Sequence, residues 1–142
     1  MNSRLNPYIN FADTARQAMA FYKEVFGGEL TLNTFEEYGM AEDPADADKI
    51  MHAALTTDNG TVIMAADTPH SLPAPVPGTT MSLSLSGTDE AELRGYWDKL
   101  SDGGKITMQL APQIWGDIFG MCVDKFGIHW MINITAAGVE SA

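Results

Sequence analysis

The chain presents one arrangement of residues twice. A strand-like run ending near Phe11 leads into a helix-like run from Thr14 to Phe26 that stops at Gly27-Gly28, and a strand-like run ending near Ser86 leads into Asp89 to Ser101, stopping at Gly103-Gly104. Gly28 and Gly104 lie 76 residues apart in a chain of 142, about half its length. Solenoid repeats run about 20–50 residues and stack in arrays, so a long period seen twice reads as a duplicated α/β module. Two such modules facing each other across a cleft would offer the concave setting in which small ligands bind.

The first module is the more regular in pattern. Leu5 to Phe11 is rich in Tyr, Ile and Phe, and Thr14-Ala15-Arg16-Gln17 fits a capping box at a helix start. Ala15, Ala18, Met19, Tyr22, Val25 and Phe26 recur at three- and four-residue spacing, one apolar stripe suited to lie on a sheet. Glu29 to Glu37 and Ile50 to Thr57 read as strands, and Asp58-Asn59-Gly60 is a tight-turn signal, with Thr61 to Ala66 as the hairpin partner. The acidic, Pro-broken stretch 39–48 reads as a solvated loop.

In the second module, Thr80 to Ser86 alternates Met81, Leu83 and Leu85 with serines, as a half-buried strand does. Asp89 caps a helix with an inner stripe of Leu93, Tyr96, Trp97 and Leu100, and Lys105 to Leu110, Ile114 to Val123 and Ile128 to Ile134 supply three strands. The order βαβββ therefore occurs twice in one domain over 1–142, as module 1 (1–67) and module 2 (79–135). The Pro-rich connector 68–78 joins them, too stiff and donor-poor for a central strand or helix.

Charge narrows the partners. Eight Lys+Arg against nineteen Asp+Glu leave a formal charge of −11, which opposes binding to nucleic acid or an anionic membrane surface. The lone Cys122 cannot form an intrachain disulfide and reads as a buried small hydrophobe. The first residues hold no long apolar stretch, so no signal peptide or membrane span is expected and a cytoplasmic location is.

Several runs resemble one superfamily when taken together. Pro7-Tyr8-Ile9-Asn10-Phe11, then Ala20-Phe21-Tyr22-Lys23-Glu24-Val25-Phe26-Gly27-Gly28, is similar to the opening of vicinal oxygen chelate proteins. That group includes glyoxalases, extradiol dioxygenases, and fosfomycin- and bleomycin-resistance proteins. Met51-His52-Ala53, Gly104 to Met108, Trp115-Gly116 and Asp124 to Asn133 resemble its PhnB-like branch in particular. The resemblance implies an α+β fold, two βαβββ modules whose curled mixed sheets enclose a cleft, often completed in a homodimer.

The resemblance also implies where a catalytic metal would sit. Metal-dependent members carry a His on the first strand, a His or Glu on the equivalent strand of the other half and a Glu on the last strand. Those positions fall on Pro7, Met81 and Met131, which offer no ligand or a thioether poorly suited to hard and borderline ions. A slip of one or two residues brings in Tyr8, Ser82 or Asn133, which do not rebuild the set. No metal or other cofactor is therefore expected.

The alternative constellation, for metal or acid-base work, is His52, His129 and a glutamate, Glu36 or its neighbour Glu37. Period two places His129, Met131 and Asn133 on one face. Trp115, Phe35, Met64, Met81, Phe119 and Met131 are candidates to line an apolar ligand site. The PhnB-like branch has carried a methyltransferase label, yet no G-x-G-x-x-G follows a strand, and neither a P-loop nor a G-x-S-x-G elbow occurs. The expected function is binding of a small organic molecule in the inter-module cleft, by a homodimer, without the usual metal. A metal-dependent lyase, isomerase or dioxygenase with a nonstandard ligand set and a drug-sequestering resistance protein are the alternatives.

Overall fold

In a computed structural model of the chain, which describes residues 3–136, the backbone divides after Val76 into two units. The first contains β1 (Tyr8–Phe11), α1 (Ala15–Phe26), β2 (Glu29–Thr34), β3 (Ile50–Thr56) and β4 (Val62–Asp67). Its sheet has the order β1-β4-β3-β2, with β1 parallel to β4 and the other pairs antiparallel. The second contains β5 (Leu83–Gly87), α2 (Glu90–Ser101), β6 (Lys105–Pro112), β7 (Ile118–Val123) and β8 (His129–Ile134). Its sheet repeats the plan as β5-β8-β7-β6, with β5 parallel to β8. Among the described residues no helix is long and apolar enough to cross a membrane.

Each helix covers one face of its own sheet because its apolar stripe has nowhere else to go. All six stripe residues of α1 are buried, and Phe21 joins them. They meet the inward positions of β3 and β4, where Ala53, Leu55, Ile63 and Ala65 are buried in turn. A fully buried side chain the size of Leu or Met contributes about 1.5–3 kcal/mol. On α2, Leu93, Trp97 and Leu100 are buried against Trp130, Ile132 and Ile134 of β8. Tyr96, expected inside, is half-buried and donates its hydroxyl to Glu92 at 2.8 Å. Gly120 of β7 makes room for Trp97: a Cβ there would lie 2.9 Å from the indole and 2.8 Å from the Leu110 Cα.

The duplication extends to the joints. A Cβ on Gly28 would strike the Thr56 carbonyl, and one on Gly104 the Val123 carbonyl, so the same helix-to-strand corner excludes a side chain in both units. The hairpin turns correspond as well. Thr57 N–H donates to Thr61 O at 2.8 Å and Gly60 N–H to Thr57 O at 2.9 Å; Asp124 N–H to Ile128 O and Gly127 N–H to Asp124 O, both at 2.9 Å, repeat the pair.

Several expectations need correction. Thr14 makes no side-chain cap at α1; instead Asp67, at the end of β4, accepts Ala15 N–H at 2.9 Å with one oxygen and Ile50 N–H at 2.9 Å with the other. A buried carboxylate is a stronger acceptor than a hydroxyl, so it takes the helix terminus. The 39–48 segment is not wholly solvated. Asp46 is 3% exposed, and short 3-10 turns at Glu36–Tyr38 and Pro44–Asp46 shape the segment. Strand β5 begins at Leu83 rather than Thr80, and residues 113–117 form a turn before β7 rather than its first part.

Candidate functional site

Opposite its helix, each sheet has a second face, and strand alternation decides what stands on it. In the second unit that face carries Ser84 and Ser86 of β5, His129, Met131 and Asn133 of β8, and Phe119, Met121 and Val123 of β7. The register aligns Ser84, Met131, Met121 and Met108 in one row, and Ser86, Asn133, Phe119 and Ala111 in the next. Phe119, Met121 and Met131 are half-buried and form an apolar floor. Trp115 stands from the β6–β7 turn edge-on to Phe119, with centroids 5.9 Å apart, and remains 59% exposed. Beside that floor, the Asn133 amide donates to Asp117 at 2.8 Å, which leaves its carbonyl oxygen as an acceptor for another group.

The corresponding face of the first unit is more polar. Tyr8 pairs with Met64 and Asn33 with His52, and the Tyr8 and His52 rings lie 6.0 Å apart. Asn33 donates to Glu37 at 3.5 Å, while Thr34 N–H and hydroxyl both donate to the same carboxylate at 3.2 Å. The Thr34 N–H, then the Asn33 and Thr34 side chains, hold Glu37 below the usual glutamate range. Of the two glutamates considered with His52, Glu37 is thus the one tied through Asn33 to its strand neighbour; Glu36 is exposed at the start of the 3-10 turn.

The remaining candidates fall in different settings. Met64 is half-buried on the polar face, whereas Phe35 is buried in the core. Met81 precedes β5 and is 77% exposed. Pro7 precedes β1, where the helix-free face goes to Tyr8 and Asn10. The three positions carried over from metal-dependent relatives therefore hold a pyrrolidine ring and two thioethers, and only Met131 stands on a helix-free sheet face. Those faces do carry His52 and His129, but among the described residues neither joins a group of three His, Cys or carboxylate side chains close enough to share an ion. This donor set does not fit a divalent metal.

One group of His and carboxylate residues escaped the sequence reading. Among the described residues, Asp43, Asp46 and His70 bring possible ligand atoms within 4.8 Å of one another. The buried Asp46 accepts the His70 backbone N–H at 3.0 Å, faces His70 Nδ1 at 2.6 Å and pairs with Lys49 at 3.2 Å. Burial works against its charge, but the His70 N–H, the His70 ring and Lys49 outweigh it and hold the carboxyl below its usual range. These donors bind the connector to the 43–49 segment. Lys49, itself an ammonium on the Asp46 carboxylate, stands where a second cation would be repelled. In the second unit, burial and then the Asp124 charge push the Cys122 thiol up to about 11, so it serves as packing and not as a nucleophile.

Two four-stranded mixed sheets, each built by one βαβββ module with its own helix, define the glyoxalase/bleomycin-resistance fold. Solved glyoxalase/bleomycin resistance/dioxygenase proteins share it at 14% identity. Within that class the sequence matches the 3-demethylubiquinone-9 3-methyltransferase family over residues 3–133, and the chain belongs to this PhnB-like family. It is 31% identical to Protein YjdN of Escherichia coli over 140 residues, spanning 92% of this chain and 94% of that protein. The crystal structure of PA1353 from Pseudomonas aeruginosa is similar with a TM-score of 0.79 at 33% identity, over 95% of this chain and 99% of that one. The PhnB protein of Bacillus cereus, named as a putative 3-demethylubiquinone-9 3-methyltransferase, has a TM-score of 0.73 at 25% identity, over 94% of this chain and 100% of that one.

Proposed function

We propose that this PhnB-like protein binds a small organic molecule on the helix-free face of the β5-β8-β7-β6 sheet, without the metal used by other members of the superfamily. One observation carries the reading: Phe119, Met121 and Met131 form a half-buried apolar floor with the Asn133–Asp117 pair beside it and Trp115 standing at the rim. An apolar floor with few placed polar groups is the usual make-up of a small-molecule site, and Met and Trp adapt to flat or irregular ligands. The residues at the three metal positions support the metal-free part. We also place this activity in a homodimer. Between Lys105 and Asp117 the chain has no charged residue, and Ile106, Met108 and Ile114 are exposed there, so two acidic chains can meet on this stretch without repulsion.

Thermal-shift screening with ketoaldehydes, catechols and basic glycopeptides tests the reading, since a ligand that prefers the native state raises Tm. At least one class raises Tm, and Trp115→Ala abolishes the shift while leaving the unliganded Tm nearly unchanged. A shift that survives Trp115→Ala assigns binding elsewhere. Metal analysis after exposure to zinc, nickel, manganese and iron tests the other half. Stoichiometric metal removed by His52→Ala would replace the metal-free reading with a nonstandard metal centre.

A further inference from the structure

We infer that Asn59 is a site of spontaneous covalent modification, converting to aspartate and isoaspartate, and that the closed β3–β4 turn held by Thr57 sets its rate. Asn59 is the only asparagine in the chain followed by glycine. Both residues are exposed at the hairpin tip, Gly60 has φ +90°, and no heavy atom lies within 4 Å of the place its Cβ would take. Nothing therefore crowds the Gly60 nitrogen as it approaches the neighbouring side chain.

The chemistry needs only solvent. After hydroxide removes its proton, the Gly60 amide nitrogen adds to Asn59 Cγ; the Cγ–Nδ2 bond breaks and Nδ2 leaves as ammonia, taking a proton from water. The resulting five-membered imide is opened by water at either carbonyl. Attack at the side-chain carbonyl gives isoaspartate's isomer, ordinary aspartate, and attack at the backbone carbonyl gives isoaspartate, whose main chain is one carbon longer.

In the closed turn the nucleophile is occupied, because Gly60 N–H donates to Thr57 O at 2.9 Å. The electrophile is held too. Asn59 Oδ1 accepts the Thr57 hydroxyl at 2.5 Å, and the Thr57 oxygen accepts Thr61 N–H at 3.1 Å. Reaction therefore proceeds from the transiently opened tip, and Thr57 guards it. The second unit supplies an internal control. Its equivalent turn closes through the same bond, Gly127 N–H to Asp124 O, yet carries Phe126 where Asn59 stands and cannot form the imide.

The product strains its surroundings. The neighbouring Asp58 carboxylate already lies against Gly27, at the negative end of α1, so a new charge at 59 adds repulsion there. Isoaspartate lengthens a loop closed by the Thr57–Thr61 bond.

Incubation of the full chain in mildly alkaline buffer, followed by digestion and mass spectrometry, tests the inference. The peptide containing Asn59 gains about 1 Da and becomes a substrate in an isoaspartyl assay. Asn59→Gln eliminates the gain. Thr57→Val accelerates it roughly fivefold, the extra opening expected when one ordinary hydrogen bond is lost. Conversion seen in urea but absent from the native chain overturns the inference, as does a Thr57→Val rate equal to that of the unsubstituted protein.

Discussion

The two units share a backbone plan but anchor it with carboxylates in different places. In the first, Asp67 stands at the end of β4 and joins the first residue of α1 to the first residue of β3. Its counterpart in the second unit is Ile134, because Thr68 N–H on Phe11 O corresponds to Thr135 N–H on Gly87 O. There the buried carboxylate moves to the hairpin turn, where Asp124 accepts the N–H groups of Phe126 and Ile128 and the Trp130 indole. The matching position in the first unit is Thr57. A duplicated backbone thus fixes which corners need support, while the side chains that supply it are free to relocate.

Substitutions that remove these anchors test the contrast most severely. Asp124→Ala strands three donors, one of them an indole in the core, and is expected to cost about 4 kcal/mol by denaturant unfolding. Asp67→Ala strands two and is expected to cost about 3 kcal/mol. If Asp67→Ala proves as mild as a surface change, the first unit does not depend on the anchor assigned to it.

The helix starts give a smaller and opposite contrast. Asp89 accepts Glu92 N–H at 3.1 Å, so Asp89→Ala should lower stability by about 1 kcal/mol. Thr14→Ala, at a position with no side-chain cap, should change it by less than about 0.5 kcal/mol. Equal losses at both would mean that α1 is capped locally after all.

Acid titration tests the Asp46 anchor that ties the connector to the 43–49 segment. Asp46 belongs to the first unit and its folded pKa is depressed, so its contribution is fully present above the ordinary aspartate range and is lost as pH falls through the lowered folded value. His70→Ala removes the ring that faces Asp46 at 2.6 Å while keeping the backbone N–H, and should make that acid limb of the unfolding midpoint shallower. An unchanged limb would assign the acid sensitivity to other carboxylates.

Much of this architecture was legible because it is written in local periodicities. The six-residue stripe of α1, the serines alternating along β5 and the face shared by His129, Met131 and Asn133 each follow from spacing within a few residues. Asp124 as the anchor of its turn was legible for the same reason, since Phe126 and Ile128 lie two and four residues away. The joints that were missed are long-range. The capping-box pattern at Thr14 competes with a carboxylate 52 residues beyond Ala15, and the acidic stretch gave no sign that His70, 24 residues on, would bury one of its aspartates. The candidate site was half legible: Met131, Phe119 and Trp115 belong to one surface, while Phe35 went to the core and Met81 to solvent because the strand and turn boundaries fell a few residues from their expected places.

The position of Asp67 also has a consequence for synthesis. During translation α1 emerges long before the residue that caps it, and β1 must wait equally long for β4, its parallel partner. The second helix carries its own cap, Asp89, immediately ahead of it. A nascent chain stalled before residue 67 should therefore hold an unfinished first unit, with α1's apolar face a target for chaperones until one late aspartate leaves the ribosome.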